Sequence, residues 1–388
     1  MKRSETRYDT GAIITFVDNV NYGCLIQRWA LQRFLDIHGF SFSAYYVVPS
    51  FLSAILLSGA VSALRRYARA AVRPFKRLLT GRRPLFEIDK AVLPRNTKWT
   101  SRFMAMRIRQ ERFCRRNVDT CSIYIVGSDQ IWRNGDWYPL SLPRRLTYYF
   151  LDFVKSPNTK RIAYAASFGK DTLEGAGLAG RKEAIRPLLE KFDAISVREA
   201  SGVKIIKDTW NLDAAHVLDP TLLLASEDYA TLIDTPTCPL SEVKPLFYYM
   251  LVPHPSKMAF VGRIAAKLEL SADGVCPYTP CTLPPVEQWL KGFRDCEFVV
   301  TDSFHGTVFA IINRKPFLVF TNNTLAPSRI TTLLCSLGLL ERMIREEDIA
   351  AFDCSKLGTI DYDAVHAKLD KLREFSGNWL LTQLRKPK

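Results

Sequence analysis

The sequence is short of the residues and motifs that would declare an activity outright. Its five histidines (38, 216, 254, 305 and 366) are scattered, and it has no H-E-x-x-H and no Cys/His cluster. No metal site is therefore predicted. A Walker loop and a G-x-S-x-G are also missing, which removes two common nucleotide and hydrolase signatures. The nine cysteines are odd in number and dispersed, and the nearest pair, Cys276 and Cys281, is not spaced C-x-x-C. Reduced thiols are expected rather than a disulfide framework. The longest apolar run, Phe51 to Leu64, has 14 residues, short of the roughly 20 that a spanning helix needs. Met1 to Thr10 is polar and leads into no apolar core with a cleavage site. That pattern predicts no secretory signal and a cytoplasmic location, where the sequon at Asn322 has no role.

What is present is ordinary globular composition: 388 residues, 47% hydrophobic and 24% charged. This length favours two domains. Charge is the unusual property, with 54 basic against 39 acidic residues, net +15. It is local. Val61 to Arg116 holds 17 basic residues and 3 acids (Glu87, Asp89, Glu111), so the remainder is nearly neutral. Within Phe51–Thr80, a helix would gather Leu64, Tyr67, Ala68, Ala71, Val72 and Phe75 near one face. Arg65, Arg66, Arg69, Arg73, Lys76 and Arg77 would lie largely on the other. Such a pattern fits an interfacial helix on an anionic membrane, or a solvated basic helix covering the core. No nucleic-acid-binding motif accompanies the charge, and nucleic acid is not predicted as a partner.

Strand-like and helix-like stretches alternate. Strands are expected at 11–18, 40–48, 122–126, 146–151, 161–167, 194–197 and 216–218, with helices at 22–38, 181–192 and 199–207. Composition shifts at 224–244, and the alternation then resumes through to an amphipathic helix at 361–375. These readings predict an α/β chain of two Rossmann-like domains, 1–235 and 236–388, with a basic insertion at about 51–116. Ligands should sit beyond the carboxyl ends of strands, near the domain interface.

Four strand ends carry polar turns. Thr301-Asp302-Ser303-Phe304-His305-Gly306 runs from a buried strand into a helix. Its free N–H groups favour an anion, and His305 is placed to bond a phosphate or donate a proton, or simply to complete a cap. Arg198, in Ser196-Val197-Arg198-Glu199, would grip a carboxylate or phosphate, or pair structurally with Glu199. Gly127-Ser128-Asp129 ends another strand, with Asp129 a base or, more simply, an N-cap. Asn21 and Gly23 suit a tight strand-to-helix turn at the cleft. A literal G-x-G-x-x-G at 175–180 is set too far from its strand to read as a dinucleotide fingerprint.

Together these stretches resemble the polysaccharide pyruvyl transferase family. The resemblance rests on Asn21-Tyr22-Gly23 through Gln27, VGSDQIW (126–132), YAASFG (164–169), SVRE (196–199), VLDPTLLL (217–224) and TDSFHGTVFAII (301–312). It implies a fold similar to GT-B glycosyltransferases. The implied activity moves a pyruvyl group from phosphoenolpyruvate to two hydroxyls of a cell-surface or exopolysaccharide glycan, giving a ketal, with no cofactor. His305 and Arg198 would hold the donor, with His305 as acid and Asp129 as base. Ser303, Gly306, Gly127, Ser128, Asn21 and Gly23 would line the site. The alternative is a GT-B-type glycosyltransferase with a nucleotide-sugar donor. Under the resemblance, the basic segment would address the enzyme to the cytoplasmic face of a membrane, where glycans are built on lipid carriers.

Overall fold

The computed structural model describes residues 10–16, 20–46, 96–113, 121–133, 146–279, 282–321, 328–353 and 358–388. The expected amphipathic helix within 51–80 lies outside the described residues.

The chain forms two all-parallel sheets flanked by helices. The first contains β1 (Thr10–Ile14), β2 (Ser41–Tyr46), β3 (Gln110–Arg112), β4 (Ile123–Val126), β5 (Lys160–Ala166), β6 (Ala194–Val197) and β7 (Ala215–His216). Its helices are α1 (Tyr22–Ile37), α2 (Lys98–Arg107), α3 (Lys182–Leu189) and α4 (Ala200–Trp210). After α5 (Ser226–Asp234) comes the second sheet, of β8 (Leu246–Tyr249), β9 (Ala272–Val275), β10 (Phe298–Thr301), β11 (Phe317–Thr321) and β12 (Met343–Arg345). Its helices are α6 (Pro255–Lys267), α7 (Val286–Asp295), α8 (Phe304–Ile312) and α9 (Ser328–Leu337), and α10 (Tyr362–Arg385) ends the chain.

Strands covered on both faces read as unbroken apolar runs. Ile123-Tyr124-Ile125-Val126 and Phe298-Val299-Val300-Thr301 are buried throughout. The first sheet has the order β3-β2-β1-β4-β5-β6-β7, so its direction of winding reverses between β1 and β4. In the second, β12-β11-β10-β8-β9, the reversal lies between β8 and β10. Doubly wound sheets bind ligands at such reversals, outside the carboxyl ends of the strands.

One aromatic core joins the halves. Tyr22 stacks on Trp289 at 5.3 Å, and its hydroxyl donates to the Pro284 carbonyl at 2.7 Å. Helix α10 straps both sheets. Its start is tied to the second by Arg314–Asp363 (2.7 Å), and further along Ser376 Oγ accepts from the Leu218 amide of the first. Its last carbonyls take the buried Lys160 ammonium. The helix runs well past the expected end at 375.

Two local expectations change. Residues 146–150 form a 3-10 turn, not a strand, because Tyr148, Tyr149 and Phe150 are all drawn into the core, where Phe150 stacks on Trp132 at 5.2 Å. The described end of the basic insertion is built into the first domain. β3 adds an edge strand beside β2, and α2 packs between α1 and α7. No helix among the described residues is long and apolar enough to cross a membrane.

Candidate active site between the two switch points

The turns after β1, β4, β6, β7 and β10 converge. Asp219 follows β7 and caps the turn Pro220–Leu222. Its Oδ1 accepts from the Thr221 amide (3.0 Å) and hydroxyl (2.7 Å). Its Oδ2 accepts from Ser128 Oγ (2.8 Å) and Arg198 Nη1 (2.6 Å). Burial opposes ionisation of Asp219, but Arg198, His305 and the Thr221 donors outweigh it and hold its pKa below the usual carboxylate range.

Arg198 lies under this carboxylate, 4% exposed, and its Nη2 approaches Asp129 Oδ1 at 3.7 Å. Burial disfavours its charge, yet Asp219, Asp129 and Glu199 together raise its pKa. Its Nε and Nη2 are buried and have no hydrogen-bond partner. The structural alternative, an Arg198–Glu199 pair, is not the one formed: Arg198 pairs with Asp219 and Asp129. Glu199 Oε1 instead accepts from Ser167 Oγ and the amides of Phe168 and Gly169, fixing the turn after β5.

Asp129 has a left-handed backbone, φ +71°, which costs on the order of 1–3 kcal/mol in a non-glycine residue and is found at constrained functional sites. Its Oδ1 accepts from the Gln130 amide (2.8 Å) and its Oδ2 from the Cys24 thiol (2.7 Å). Burial pushes its pKa up, but Arg198, Arg329 and the Cys24 bond prevail and lower it. The preceding Gly127, at φ +127°, lies so near β5 that a Cβ would meet the Tyr164 carbonyl at 2.0 Å.

His305 enters from the other half, in the first turn of α8. Its Nε2 is 3.8 Å from Asp219 Oδ1 and makes no hydrogen bond. Burial, reinforced by Arg198 and Arg329 against the pull of Asp219 and Asp129, lowers its pKa to about 4. The imidazole is thus neutral at pH 7 in the free protein, rather than poised near neutrality as the sequence alone would suggest. The ring rests on α1, where a Cβ on Gly23 would stand 2.0 Å from Nδ1.

The other expected site residues build the turns. Ser303 Oγ caps α8 by accepting from the Gly306 amide (3.4 Å), and Gly306 packs against Thr301. Asn21 caps α1 through the Gly23 amide and donates to Tyr278 Oη across the halves at 3.3 Å. Gln27 is buried and donates to Thr15 Oγ1. Asp302 receives the Leu251 and Val252 amides and the buried Lys257 ammonium, which fixes the loop after β8.

Sequence reasoning missed Asp219, Cys24 and Arg329 as members of the site. Asp219 carried a signal, since it ends a short strand and precedes a proline at a helical first turn. For Cys24 and Arg329 no local pattern marks the role. Among the described residues, no group of three or more His, Cys, Asp or Glu gathers to hold a metal.

Several solved structures are similar over nearly the whole chain. UDP-GlcNAc 2-epimerase from Neisseria meningitidis has 9% identity and a TM-score of 0.45, covering 97% of this chain and 99% of its own. Arabidopsis thaliana UGT89C1 complexed with UDP has 10% identity and a TM-score of 0.42, covering 95% and 94%. A glycosyltransferase from Rickettsia africae has 11% identity and a TM-score of 0.35, covering 96% and 94%. At these scores the likeness carries no conclusion about activity. No curated protein matches the chain in sequence. A family match is found at residues 21–324, which take in the turns after β4, β6, β7 and β10 but not Arg329. The chain belongs to the polysaccharide pyruvyl transferase family, a family of enzymes.

Proposed function

We propose that the chain transfers a pyruvyl group from phosphoenolpyruvate to two hydroxyls of one glycan unit, forming a ketal and releasing phosphate. The observation behind this reading is the buried Asp129–Arg198–Asp219 chain beneath His305, between the two sheet reversals. It offers guanidinium and helix N-terminus donors for an anion, and a carboxylate and an imidazole for protons.

The reaction is assigned as follows. The methylene carbon of phosphoenolpyruvate takes a proton, leaving C2 electrophilic. A glycan hydroxyl attacks C2 and gives up its proton. The C2–O bond to phosphate breaks, and a second hydroxyl closes the ketal. Of the two hydroxyl protons, one is accounted for by the new methyl group and one by the departing hydrogen phosphate. Only protons and C–O bonds are exchanged, so the scheme calls for no cofactor.

His305 is assigned the acid role and Asp129 the base. In the free site both have lowered pKa values, unsuited to these roles. The donor's negative charge raises both, so loading the donor arms the pair. The test is phosphate release from phosphoenolpyruvate with an acceptor glycan, against nucleotide diphosphate release from nucleotide sugars. Phosphate release that the His305→Ala variant loses supports the reading. Nucleotide release instead, or near-normal turnover by the variant, overturns it.

We also assign the enzyme to the cytoplasmic face of a membrane, acting on a lipid-carried glycan. The support is the concentration of 17 basic residues in 61–116. Co-sedimentation with anionic vesicles at low salt is expected, and its absence removes the assignment.

A further inference from the structure

The first turn of α1 meets the site at two neighbouring residues. Gly23 lies against the imidazole of His305, and the next residue, Cys24, reaches Asp129. Cys24 is 5% exposed and Asp129 8%, so the 2.7 Å bond between Cys24 Sγ and Asp129 Oδ2 is shielded from bulk water. An ionised carboxylate only accepts hydrogen bonds, so the thiol is the donor and its hydrogen is aimed at Oδ2.

A second connection runs through the backbone. Gln27, one turn further along α1 and fully buried, donates from Nε2 to the Cys24 carbonyl (3.3 Å) and to Thr15 Oγ1 (3.1 Å). Thr15 Oγ1 in turn donates to the Ser128 carbonyl at 3.0 Å. That carbonyl belongs to the peptide leading into Asp129, the residue with the left-handed backbone. Main chain and carboxylate of this turn are thus both tied to α1. The other carboxylate oxygen, Oδ1, accepts from the Gln130 amide and faces Arg198 Nη2 at 3.7 Å. Oδ2 is the oxygen whose direction depends on α1. A thiol is a weak donor, so Oδ2 keeps acceptor capacity for a substrate hydroxyl.

We infer that Cys24 is a positioning residue for proton removal: its thiol fixes the direction of Asp129 Oδ2, so that one turn of α1 sets Asp129 and His305 in register. The inference rests on the assignment of Asp129 as base above. The charge on Asp129 depends on the same contact. Burial opposes that charge, and Arg198 after β6, Arg329 on α9, the Cys24 bond from α1 and His305 on α8 together outweigh it. Asp219, after β7, shares Arg198 with Asp129. Removing the thiol takes away one of the groups that favour the charge. The Asp129 pKa then rises, and the base is protonated at a higher pH.

The test uses the full chain with Cys24→Ala and Cys24→Ser. Infrared difference spectra of wild type against Cys24→Ser isolate the Cys24 S–H stretch. It is expected below the frequency of a thiol with no charged acceptor, and expected to rise in Asp129→Asn. A band that Asp129→Asn leaves in place overturns the contact, whatever the substrate. Phosphate release from phosphoenolpyruvate is then followed with methyl hexopyranosides as acceptors. Cys24→Ala should lower kcat about 10-fold with the donor KM little changed, as loss of a hydrogen bond to a charged group implies. It should also move the acidic limb of the kcat profile to higher pH, since that limb reports the base in the loaded site. Cys24→Ser, which keeps a donor, should restore both. Wild-type kcat in Cys24→Ala, a fall in kcat with the limb unmoved, or a serine variant no better than alanine overturns the positioning role alone. A wild-type chain that releases no phosphate from phosphoenolpyruvate overturns the donor reading itself, and this role with it.

Discussion

Asp219→Asn probes the centre of the site most directly. The carboxylate accepts four hydrogen bonds, from the Thr221 amide, the Thr221 hydroxyl, Ser128 Oγ and Arg198 Nη1. An amide of the same shape satisfies the Thr221 side but turns an NH₂ toward two donors. Arg198 then keeps Asp129, at 3.7 Å, as its ion-pair partner among the described residues, with Glu199 acting only from farther off, in a pocket where both side chains of the lost pair are at most 2% exposed. Breaking one side of a buried pair typically costs about 3–5 kcal/mol. Urea unfolding at pH 7.5 measures this as a fall in midpoint at constant slope. Pairing the change with Arg198→Met supplies the cycle: the double variant should be less destabilised than the two single changes added, because neither charge is then stranded. A loss under about 1 kcal/mol in the single variant, or strict additivity, would refute this account of the pair.

Two further changes test the contact between the halves. Gly23→Ala should lower turnover about 100-fold, as expected for an ångström-scale displacement of a reacting group, because its Cβ would stand 2.0 Å from His305 Nδ1. Its stability cost should largely vanish in a His305→Ala background, and a cost unchanged there removes the contact as its cause. His305 also gives a pH signature. Its pKa of about 4, against 6.5 unperturbed, means that the unfolded chain takes the proton first as pH falls. Its contribution is therefore present above pH 6.5 and declines as pH falls toward 4, with about 2 kcal/mol gone by pH 5. Unfolding free energies at pH 7.5 and pH 5 should show that decline in wild type and less of it in His305→Gln; equal declines would contradict it.

Much of the frame was legible because burial on both faces leaves little choice of residue. The apolar runs at 123–126 and 298–301 could hardly be anything but inner strands, and the turns after them could be found by following the strands. What was misread depended on partners distant in sequence. Residues 146–150 have strand-like composition, but the fit of their rings around Trp132 outweighs that preference. Glu199 is next to Arg198 in sequence, yet successive side chains at a strand end point to opposite sides. Asp219, 21 residues away, is the one that reaches the guanidinium. Arg329 reaches the site because α9 packs on α8, a tertiary fact with no local signature.

The placement of charge bears on how the candidate site is divided between the two halves. The first sheet supplies Asp129, Arg198 and Asp219 as a buried chain in which one guanidinium lies between two carboxylates. From the second half come His305 and Arg329, both with ionisation weakened by burial. For the function proposed above neither set suffices alone, since the first lacks the imidazole assigned as acid and the second the carboxylate assigned as base. The acids raise the proton affinity of His305, and Arg329 lowers that of Asp129. The contact that brings them together is the flat face of α1 at Gly23, where the absence of a single Cβ lets the imidazole come down beside the carboxylates. A site built in this way is complete only when the halves are docked, and so its chemistry is tied to the packing of Tyr22 on Trp289 that docks them.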